Sequence, residues 1–253
     1  MPETPLPRLF VDMPLTNSGE ITLNRDQSHY LVNVMRRPAE SQLFLLNGHD
    51  GEWQATILDA NKKACRIQLD QQTRIQSPEP DVWLLFAPLK KDRTDFVVEK
   101  ATELGVSRII PVLTARTQTT RVNVDRLQAT AREAAEQSQR LSIPEVTEPL
   151  AIKDIHTAWP HGRTLIYLDE TGAGRPLAAT LEAIIETPLA FVTGPEGGFA
   201  AGELDALDKL PFSVAADLGP RILRAETAVT AALAIRQGIA DLKEHIASSP
   251  SSA

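Results

Sequence analysis

Two short loops, rich in glycine and proline, carry the residues best placed to do chemistry. The first reads Gly-Pro-Glu-Gly-Gly over residues 194–198, and the second reads Leu-Gly-Pro-Arg over residues 218–221. Each loop follows an apolar run and precedes a helical pattern, which is the order of strand, loop and helix in an α/β domain. Open α/β sheets bind ligands at the carboxyl ends of their strands. The two loops therefore predict one shared pocket.

The residue types in these loops indicate what could enter the pocket. Glycine lets the backbone approach a ligand closely, so the N–H groups of residues 194–198 could recognise a neutral heterocycle or a carboxylate. For one such loop alone, a tight strand-to-helix turn is the alternative. Arg221 and Arg224 lie just before a long helical pattern, where the helix dipole disfavours cations. They indicate an anionic partner, whereas Glu226 could cap the helix or face a cation.

Several common chemistries have no matching motif in the sequence. It contains no Gly-x-x-x-x-Gly-Lys-Ser/Thr phosphate loop, no dinucleotide fingerprint in the first βα unit and no Gly-x-Ser-x-Gly nucleophile elbow. The five histidines are scattered without metal-ligand spacing, so no metal is expected. The single cysteine, Cys65, alternates with apolar residues in a predicted strand and is expected in the core.

Size and composition predict a soluble globular protein of one or two domains. The chain has 253 residues, and its one cysteine fits a reducing cytoplasm. No apolar run reaches the roughly 20 residues of a membrane span, and the first residues do not resemble a signal peptide. A net charge of −7 argues against nucleic acid, but residues 88–126 hold eight Lys/Arg against five Asp/Glu. That basic stripe could meet a phosphate backbone, or it could be a solvated face.

The first 75 residues favour a small β-barrel with one helix. Turn residues separate short apolar runs there, and the helical pattern covers residues 25–37. Pro78 and Pro80 then indicate a linker. The strands predicted before it cover residues 8–12, 42–46, 52–58 and 64–69.

After the linker, the pattern alternates between buried strand and amphipathic helix. This alternation is typical of a parallel sheet with helices on both faces. The serine-rich end, residues 248–253, is expected to be a flexible tail. Strands are predicted over residues 82–89, 108–113, 164–168, 189–193 and 212–216, and helices over 93–104, 124–140, 176–185, 201–210 and 225–245.

Residues 194–199 together with 218–228 resemble the paired signature of the RsmE family, the 16S ribosomal RNA uridine-N3 methyltransferases of the SPOUT superfamily. Residues 90–106 and 133–146 resemble two further blocks of that family. The amino-terminal segment resembles its PUA-like RNA-binding domain. The resemblance covers nearly the whole chain except the tail, and several ordered blocks are far more specific than one loop.

The resemblance implies a fold of the α/β class. A SPOUT-type parallel sheet would end in a C-terminal deep trefoil knot, preceded by a small PUA-like β-barrel domain. The implied boundaries are a PUA-like RNA-binding domain at 1–75, a methyltransferase domain at 76–247 and a tail at 248–253. The resemblance also implies a homodimer built at the knot.

The implied activity is transfer of a methyl group from S-adenosylmethionine to N3 of a uridine in 16S ribosomal RNA, either free or in the 30S subunit. No metal is needed for such a displacement. Arg224 or Arg221 could stabilise negative charge on the base. Glu196 or Glu226 could accept the N3 proton, or both could serve structure alone. Alternatives are methylation of another RNA or of a ribose 2′-hydroxyl, or a non-catalytic role in RNA binding or ribosome assembly.

The resemblance also implies which residues contact the cofactor and the RNA. Most of the cofactor contacts are expected from backbone, and the RNA contacts from basic side chains. The expected cofactor residues are Leu168, Thr193, Gly194, Pro195, Glu196, Gly197, Gly198, Leu218, Gly219, Ile222, Leu223, Arg224, Thr227 and Ala228. The expected RNA-binding residues are Arg8, Arg36, Arg37, Lys90, Lys91, Arg93, Arg116 and Arg121.

Overall fold

The computed structural model describes residues 6–119, 121–157, 159–172 and 174–248. Within these ranges the chain forms two compact units. The first contains the amino-terminal segment up to Pro78 together with Arg132–Ile143, and the second contains Glu79–Ala131 and the chain from Pro144 onward. No helix in the described ranges is long and apolar enough to cross a membrane.

The first unit is built on a five-stranded sheet with the order β1-β3-β4-β5-β2. The β1 and β3 strands are parallel, and the other neighbours are antiparallel. Alternating residues of β3, β4 and β5 face the core because successive side chains point to opposite faces of a sheet. The strands are β1 Arg8–Phe10, β2 Glu20–Thr22, β3 Gln42–Leu46, β4 Glu52–Asp59 and β5 Arg66–Arg74.

Cys65 lies in the core of this unit, as the sequence predicts. Its side chain is fully buried beside apolar residues such as Leu31, Ile57 and Ile67. Its backbone N–H donates to Oγ of Ser28 over 2.9 Å. Burial raises the pKa of the Cys65 thiol, so this cysteine is a packing residue and not a nucleophile.

The helix predicted over residues 25–37 is shorter in the structure. Helix α1 covers Arg25–His29 and is capped by Asn24, whose Oδ1 accepts from the N–H of Gln27 over 2.9 Å. A π-helical turn, Tyr30–Val34, follows it. Arg36 then takes a left-handed conformation with φ of 54°. Pro38 disfavours helix at the residue before it, which explains why the apolar pattern overestimates the helix.

The second unit contains an eight-stranded sheet in which the neighbouring strands of the described ranges are all parallel. The main order is β11-β13-β10-β12-β6-β7-β8, and β9 pairs with β7. This confirms the predicted α/β class with a parallel sheet. The strands are β6 Val82–Phe86, β7 Arg108–Leu113, β8 Glu145–Val146, β9 Leu150–Ala151, β10 Thr164–Leu168, β11 Arg175–Pro176, β12 Leu189–Thr193 and β13 Ser213–Asp217.

Five helices accompany this sheet, close to the ranges predicted from periodicity. Strand β12 is buried along its whole length, as expected for a strand covered on both faces. The helices are α2 Lys91–Glu103, α3 Val124–Gln137, α4 Leu177–Ile184, α5 Ala201–Asp208 and α6 Ala225–Ser248.

Helix α3 begins in the second unit and ends in the first. Its last turns carry Arg132 and Glu136, which both bond to Phe10 of β1. The predicted domains, 1–75 and 76–247, remain a prediction about which parts fold independently. The trefoil knot also remains a prediction. Of the predicted tail, Ser248 ends α6, and residues 249–253 lie outside the described residues.

Glu136 gives the first unit a testable pH dependence. Its Oε1 accepts from the N–H of Phe10 over 2.9 Å, and burial raises the pKa of its carboxyl. Because the pKa is higher in the folded state, the protonated carboxyl stabilises the fold at pH values below its unfolded pKa of about 4.3. This stabilisation is lost as the pH rises through the pKa of the folded state. Glu136→Gln keeps an acceptor without the charge. We expect the variant to be more stable than the parent at pH 7 and equal to it near pH 4.

Chemical denaturation at the two pH values measures this difference. Glu40→Gln is the matched control, since Glu40 is exposed and its side chain makes no hydrogen bond or ion pair within the described ranges. A Glu136→Gln variant that is less stable than the parent at pH 7 would show that the charge itself stabilises the unit.

Candidate active site

Three loops meet at one edge of the parallel sheet, where β12, β10 and β13 end side by side. Strand β10 pairs with β12 on one side and with β13 on the other, so Tyr167 lies opposite Val192 and Leu168 lies opposite Ala216. The two predicted loops follow β12 and β13. The loop after β10 lies between these two loops, and the sequence alone identified only the residue that precedes it, Leu168 at the end of β10.

The three loops enclose a cavity of about 580 Å³. This is within the usual size range of small-molecule sites, roughly 300–1,000 Å³. Helix α2 contributes Arg93, and the start of α6 closes the cavity. The lining residues are Arg93, Leu168, Asp169, Glu170, Thr171, Gly172, Thr193, Gly194, Pro195, Glu196, Gly198, Phe199, Leu204, Ala216, Asp217, Leu218, Gly219, Pro220, Arg221, Ile222, Leu223, Arg224, Ala225 and Ala228.

The glycines of the 194–198 loop are required by its conformation. Gly198 has φ of +67°, and its N–H donates to the carbonyl of Pro195 over 2.9 Å. A Cβ at Gly198 would overlap Oε1 of Glu170 and lie 2.8 Å from its Cδ. A Cβ at Gly194 would lie 3.3 Å from the ring of Phe199. The loop therefore folds tightly against both its own end and the neighbouring loop.

Side chains from outside the loop hold it in place. Nη1 of Arg116 donates to the carbonyl of Gly197 over 2.6 Å and to that of Phe199 over 3.3 Å. Ala200 precedes α5 and has no side-chain acceptor for a helix cap. Glu203 compensates, because its carboxylate accepts from the N–H of Ala200 over 2.8 Å and from the N–H of Ala115 over 2.7 Å. The loop is thus tied to the segment that follows β7.

Arg93 lies between the two carboxylates predicted to take part in catalysis. Its Nη1 is 3.6 Å from Oε1 of Glu196, and its Nε is 3.7 Å from Oε1 of Glu226. The other oxygen of Glu226, Oε2, is buried and has no hydrogen-bond partner in the described structure. A buried carboxylate oxygen without a hydrogen bond is rare, and Glu226 is not among the residues that line the cavity.

The two arginines of the 218–224 loop are free for a ligand. Arg221 and Arg224 are exposed, and neither side chain makes a hydrogen bond or ion pair with the residues that the structure describes. Ile222 between them is 83% exposed. Gly219, with φ of +99°, turns the chain here, and its N–H donates to Oδ1 of Asp217 over 2.8 Å. The loop presents both cations at the mouth of the cavity.

The loop after β10 is an addition to the predicted site. Asp169 holds its turn, because its two carboxylate oxygens accept from the N–H and the hydroxyl of Thr171, each over 2.8 Å. The sequence contains a signal for this loop, a polar Asp-Glu-Thr-Gly run directly after a predicted strand. This run can be assigned to the site only when the strand order is known, because the strand order places the loop after β10 beside the other two loops.

Most of the predicted cofactor residues line the cavity, and the exceptions are Gly197 and Thr227. Gly197 contributes its carbonyl to Arg116 instead. Of the residues predicted to act in catalysis, Glu196, Arg221 and Arg224 line the cavity, whereas Glu226 reaches it through Arg93. The roles assigned to all these residues remain predictions.

The basic residues predicted to bind RNA have different environments. Arg93 lines the cavity and Arg116 supports the 194–198 loop. Lys90, Lys91 and Arg121 are exposed. In the first unit, Arg36 is exposed and Arg37 is half-buried. Arg8 is only 14% exposed, and its Nε donates to Glu52 over 2.8 Å.

No group of three or more His, Cys, Asp or Glu side chains in the described ranges is placed to hold a metal ion. The polar atoms that the cavity offers are carboxylates, guanidinium groups, two threonine hydroxyls and backbone groups. This set suits an organic ligand with separate polar ends.

Comparison with known proteins shows which class of protein has this fold and cavity. A family model described as an RNA methyltransferase domain matches residues 76–237, and one described as an RNA methyltransferase PUA domain matches residues 23–70. The parallel sheet with its strand-end cavity is therefore the fold of an RNA methyltransferase, preceded by a PUA-like domain.

Two curated relatives and one solved structure define the family more narrowly. Ribosomal RNA small subunit methyltransferase E of Rickettsia conorii is 31% identical over 90% of this chain and 93% of its own. The Synechocystis protein of that name is 32% identical, over 90% and 76%. The crystal structure of the Neisseria gonorrhoeae protein bound to S-adenosyl methionine superposes with a TM-score of 0.83 at 25% identity, covering 92% of this chain and 98% of that one. The chain belongs to the ribosomal RNA small subunit methyltransferase E family.

Gly198→Ala tests whether the shape of the 194–198 loop depends on glycine. The new Cβ would meet the Glu170 carboxylate, and an L-residue at φ of +67° is strained by about 1–2 kcal/mol. We expect the free energy of unfolding to fall by about that amount, since the exposed Glu170 side chain can move aside. Gly202→Ala is the matched control, since a Cβ there meets nothing within 4 Å and alanine favours helix by up to about 1 kcal/mol. Chemical denaturation measures both, and equal stability of the two variants would contradict the constraint.

Proposed function

We propose that this chain transfers a methyl group from S-adenosylmethionine to N3 of a uridine in 16S ribosomal RNA. The observation that carries the proposal is the single cavity assembled from the 194–198 and 218–224 loops, in a chain of the ribosomal RNA small subunit methyltransferase E family. Membership of the family narrows the RNA to that of the small subunit. The cavity supplies the place where cofactor and base would meet.

The cavity residues fit the proposed cofactor. Thr193 is 3% exposed, and its Oγ1 is buried without a hydrogen-bond partner in the described structure, so a ligand atom can satisfy it. The backbone of Gly194, Leu218 and Gly219 lines the same wall, where a flat heterocycle can be recognised without side chains. When bound, the cofactor supplies a methyl group on a positively charged sulfonium. The Neisseria gonorrhoeae relative was crystallised with this cofactor.

The residues of this chain would prepare the base for reaction. Uracil N3 carries a proton at neutral pH, so the reaction requires its removal or stabilisation of the resulting anion. Arg221 and Arg224 stand at the mouth of the cavity and can face negative charge that develops on the oxygens of the base. Glu196 and Glu226 are the candidate proton acceptors, and Arg93 lies between their carboxylates. The target base must be unpaired or turned out of its helix to reach them.

The start of α2 supports RNA binding beside the cavity. Lys90 and Lys91 occupy the N-cap and the first position of this helix, and both are exposed. Cations are unfavourable at this end of a helix dipole, so an external anion would stabilise them. Arg93, two residues further, lines the cavity. A phosphate backbone held at the start of α2 would therefore pass the cavity mouth.

The remaining parts of the proposal concern assembly and location. We include a homodimer, because Phe96 of α2 and Leu242 and Ile246 of α6 are 40%, 58% and 64% exposed, and apolar side chains at such exposure favour burial against a second copy. We also include a trefoil knot, since β10 lies between two strands that follow it in the chain. A cytoplasmic location fits an RNA substrate.

Methylation of 16S ribosomal RNA that lacks the modification tests the function directly. We expect the purified chain to transfer an isotopically labelled methyl group from S-adenosylmethionine to this RNA. Nucleoside analysis should then find the label in N3-methyluridine. Label in another nucleoside or on a ribose would indicate a different target. Cofactor binding without transfer, to free RNA or to 30S subunits, would favour a non-catalytic role.

Arg224→Ala tests the role of the cavity mouth in the same assay. Loss of one group that stabilises transition-state charge lowers kcat by about 10²–10³-fold. We expect a loss of this order at saturating RNA. Arg175→Ala is the matched control, because Arg175 is exposed and does not line the cavity. Methylation by Arg224→Ala at the rate of the parent would remove Arg224 from the mechanism.

Lys90→Ala/Lys91→Ala tests the RNA surface through salt dependence. The logarithm of RNA affinity falls with the logarithm of salt by about 0.7 per single-strand phosphate contact. Loss of two contacts should make the slope shallower by about 1.4, without changing cofactor affinity. Lys62→Ala/Lys63→Ala removes two exposed lysines of the first unit and serves as the control. A slope unchanged from the parent in the α2 variant would assign Lys90 and Lys91 to a solvated face.

A further inference from the structure

Four carboxylates line the cavity, and three of them are already engaged by the chain. Asp169 accepts from the N–H and hydroxyl of Thr171, and Asp217 accepts from the N–H of Gly219. Glu196 lies 3.6 Å from Arg93. Glu170 makes no hydrogen bond or ion pair with any residue that the structure describes. Among the described acids that line the cavity, it is the one whose carboxylate has no bonded partner within the chain.

The Glu170 side chain lies beside the neighbouring loop of the cavity. It belongs to the loop after β10, and its carboxylate approaches the backbone of Gly198 in the loop after β12. A Cβ at Gly198 would lie 2.8 Å from Cδ and 3.3 Å from Oε2 of Glu170, so glycine allows this close approach. The exposed, unpaired charge thus lies where two of the three loops meet, at the surface of the cavity.

We propose that Glu170 binds the α-ammonium group of S-adenosylmethionine. This inference rests on the proposed function and extends it by naming the residue that recognises the cationic end of the cofactor. An ammonium carries N–H donors that a carboxylate can accept, and such charge-assisted bonds are the strong ones. The sulfonium has no donor. Neutral ribose hydroxyls could also donate to Glu170, and the experiment separates the two.

The other walls of the cavity agree with this assignment. Arg221 and Arg224 present unpaired positive charge on the 218–224 loop, which repels an ammonium and suits the cofactor carboxylate or the RNA. Arg93 adds a third cation beside Glu196. Among the described acids of the cavity, Glu170 is therefore the one that can neutralise the ammonium without breaking an existing bond.

Calorimetry with two ligands tests the proposal. S-adenosylhomocysteine, the demethylated cofactor, carries the ammonium without the sulfonium charge, whereas 5′-methylthioadenosine keeps the adenine and ribose and lacks the amino-acid part. We expect Glu170→Gln to raise the Kd for S-adenosylhomocysteine by about tenfold, which corresponds to 1.4 kcal/mol. The Kd for 5′-methylthioadenosine should not change. Raising the salt concentration should weaken S-adenosylhomocysteine binding to the parent more than to the variant, because screening acts on the charge pair.

Glu182→Gln is the matched control, since Glu182 is exposed on α4 outside the cavity and its loss changes the net charge equally. Equal weakening of both ligands by Glu170→Gln would place Glu170 on the ribose and overturn the proposal. No weakening of either ligand would overturn it as well. If the parent chain itself failed to bind S-adenosylmethionine, the proposed function would fail, and this result is distinct from the other two.

Discussion

The pairing of β10 with β12 on one side and β13 on the other is the constraint on which the site depends. Backbone hydrogen bonds along these strands fix the register, with Leu168 opposite Ala216 and Tyr167 opposite Val192. Because all three strands are parallel, their carboxyl ends and the loops that follow lie at one edge. A shift of register by one residue would displace the loop after β10 relative to its two neighbours. The pairing of the strands therefore sets the positions of the loops.

The polar and charged groups that remain without a partner at this edge of the sheet define the binding site. The chain uses Asp169, Asp217, Glu203 and Arg116 to hold the loops, and each of these side chains has its bonds within the protein. Among the residues that line the cavity, the groups without partners in the described structure are Oγ1 of Thr193, the carboxylate of Glu170 and the guanidinium groups of Arg221 and Arg224. The same sequence thus separates groups that build the loops from groups that can contact a ligand.

Much of this fold follows from local sequence pattern. The five long strands of the second unit and its five helices lie within a few residues of their predicted ranges, because each combines a buried apolar run with a clear boundary. The two-residue strands β8, β9 and β11 carry no periodicity and could not be predicted. The π-helical turn at Tyr30–Val34 has the apolar spacing of an ordinary helix, so its pattern could not reveal it. The loop after β10 needed the strand order, which is a property of the whole sheet.

The basic residues of the predicted stripe differ in their interactions, and the sequence alone could not predict these differences. Residues 88–126 hold eight Lys/Arg, and in sequence all eight are equal contributors to a basic stripe. In the structure Lys100, Arg108 and Arg126 are paired with acids, Arg93 lies between two carboxylates, and Arg116 bonds to the 194–198 loop.

Within the described part of this segment, Lys90, Lys91 and Arg121 remain without a bonded partner. Two of these three stand at the start of α2, where the helix dipole already disfavours positive charge. A count of the Lys and Arg residues in the sequence therefore overstates the extent of the basic surface. When the cations that are paired within the protein are set aside, the remaining basic surface is small and lies beside the cavity. Because an external anion would stabilise unpaired cations at that end of a helix, the start of α2 is where the electrostatics of the fold most favour a phosphate.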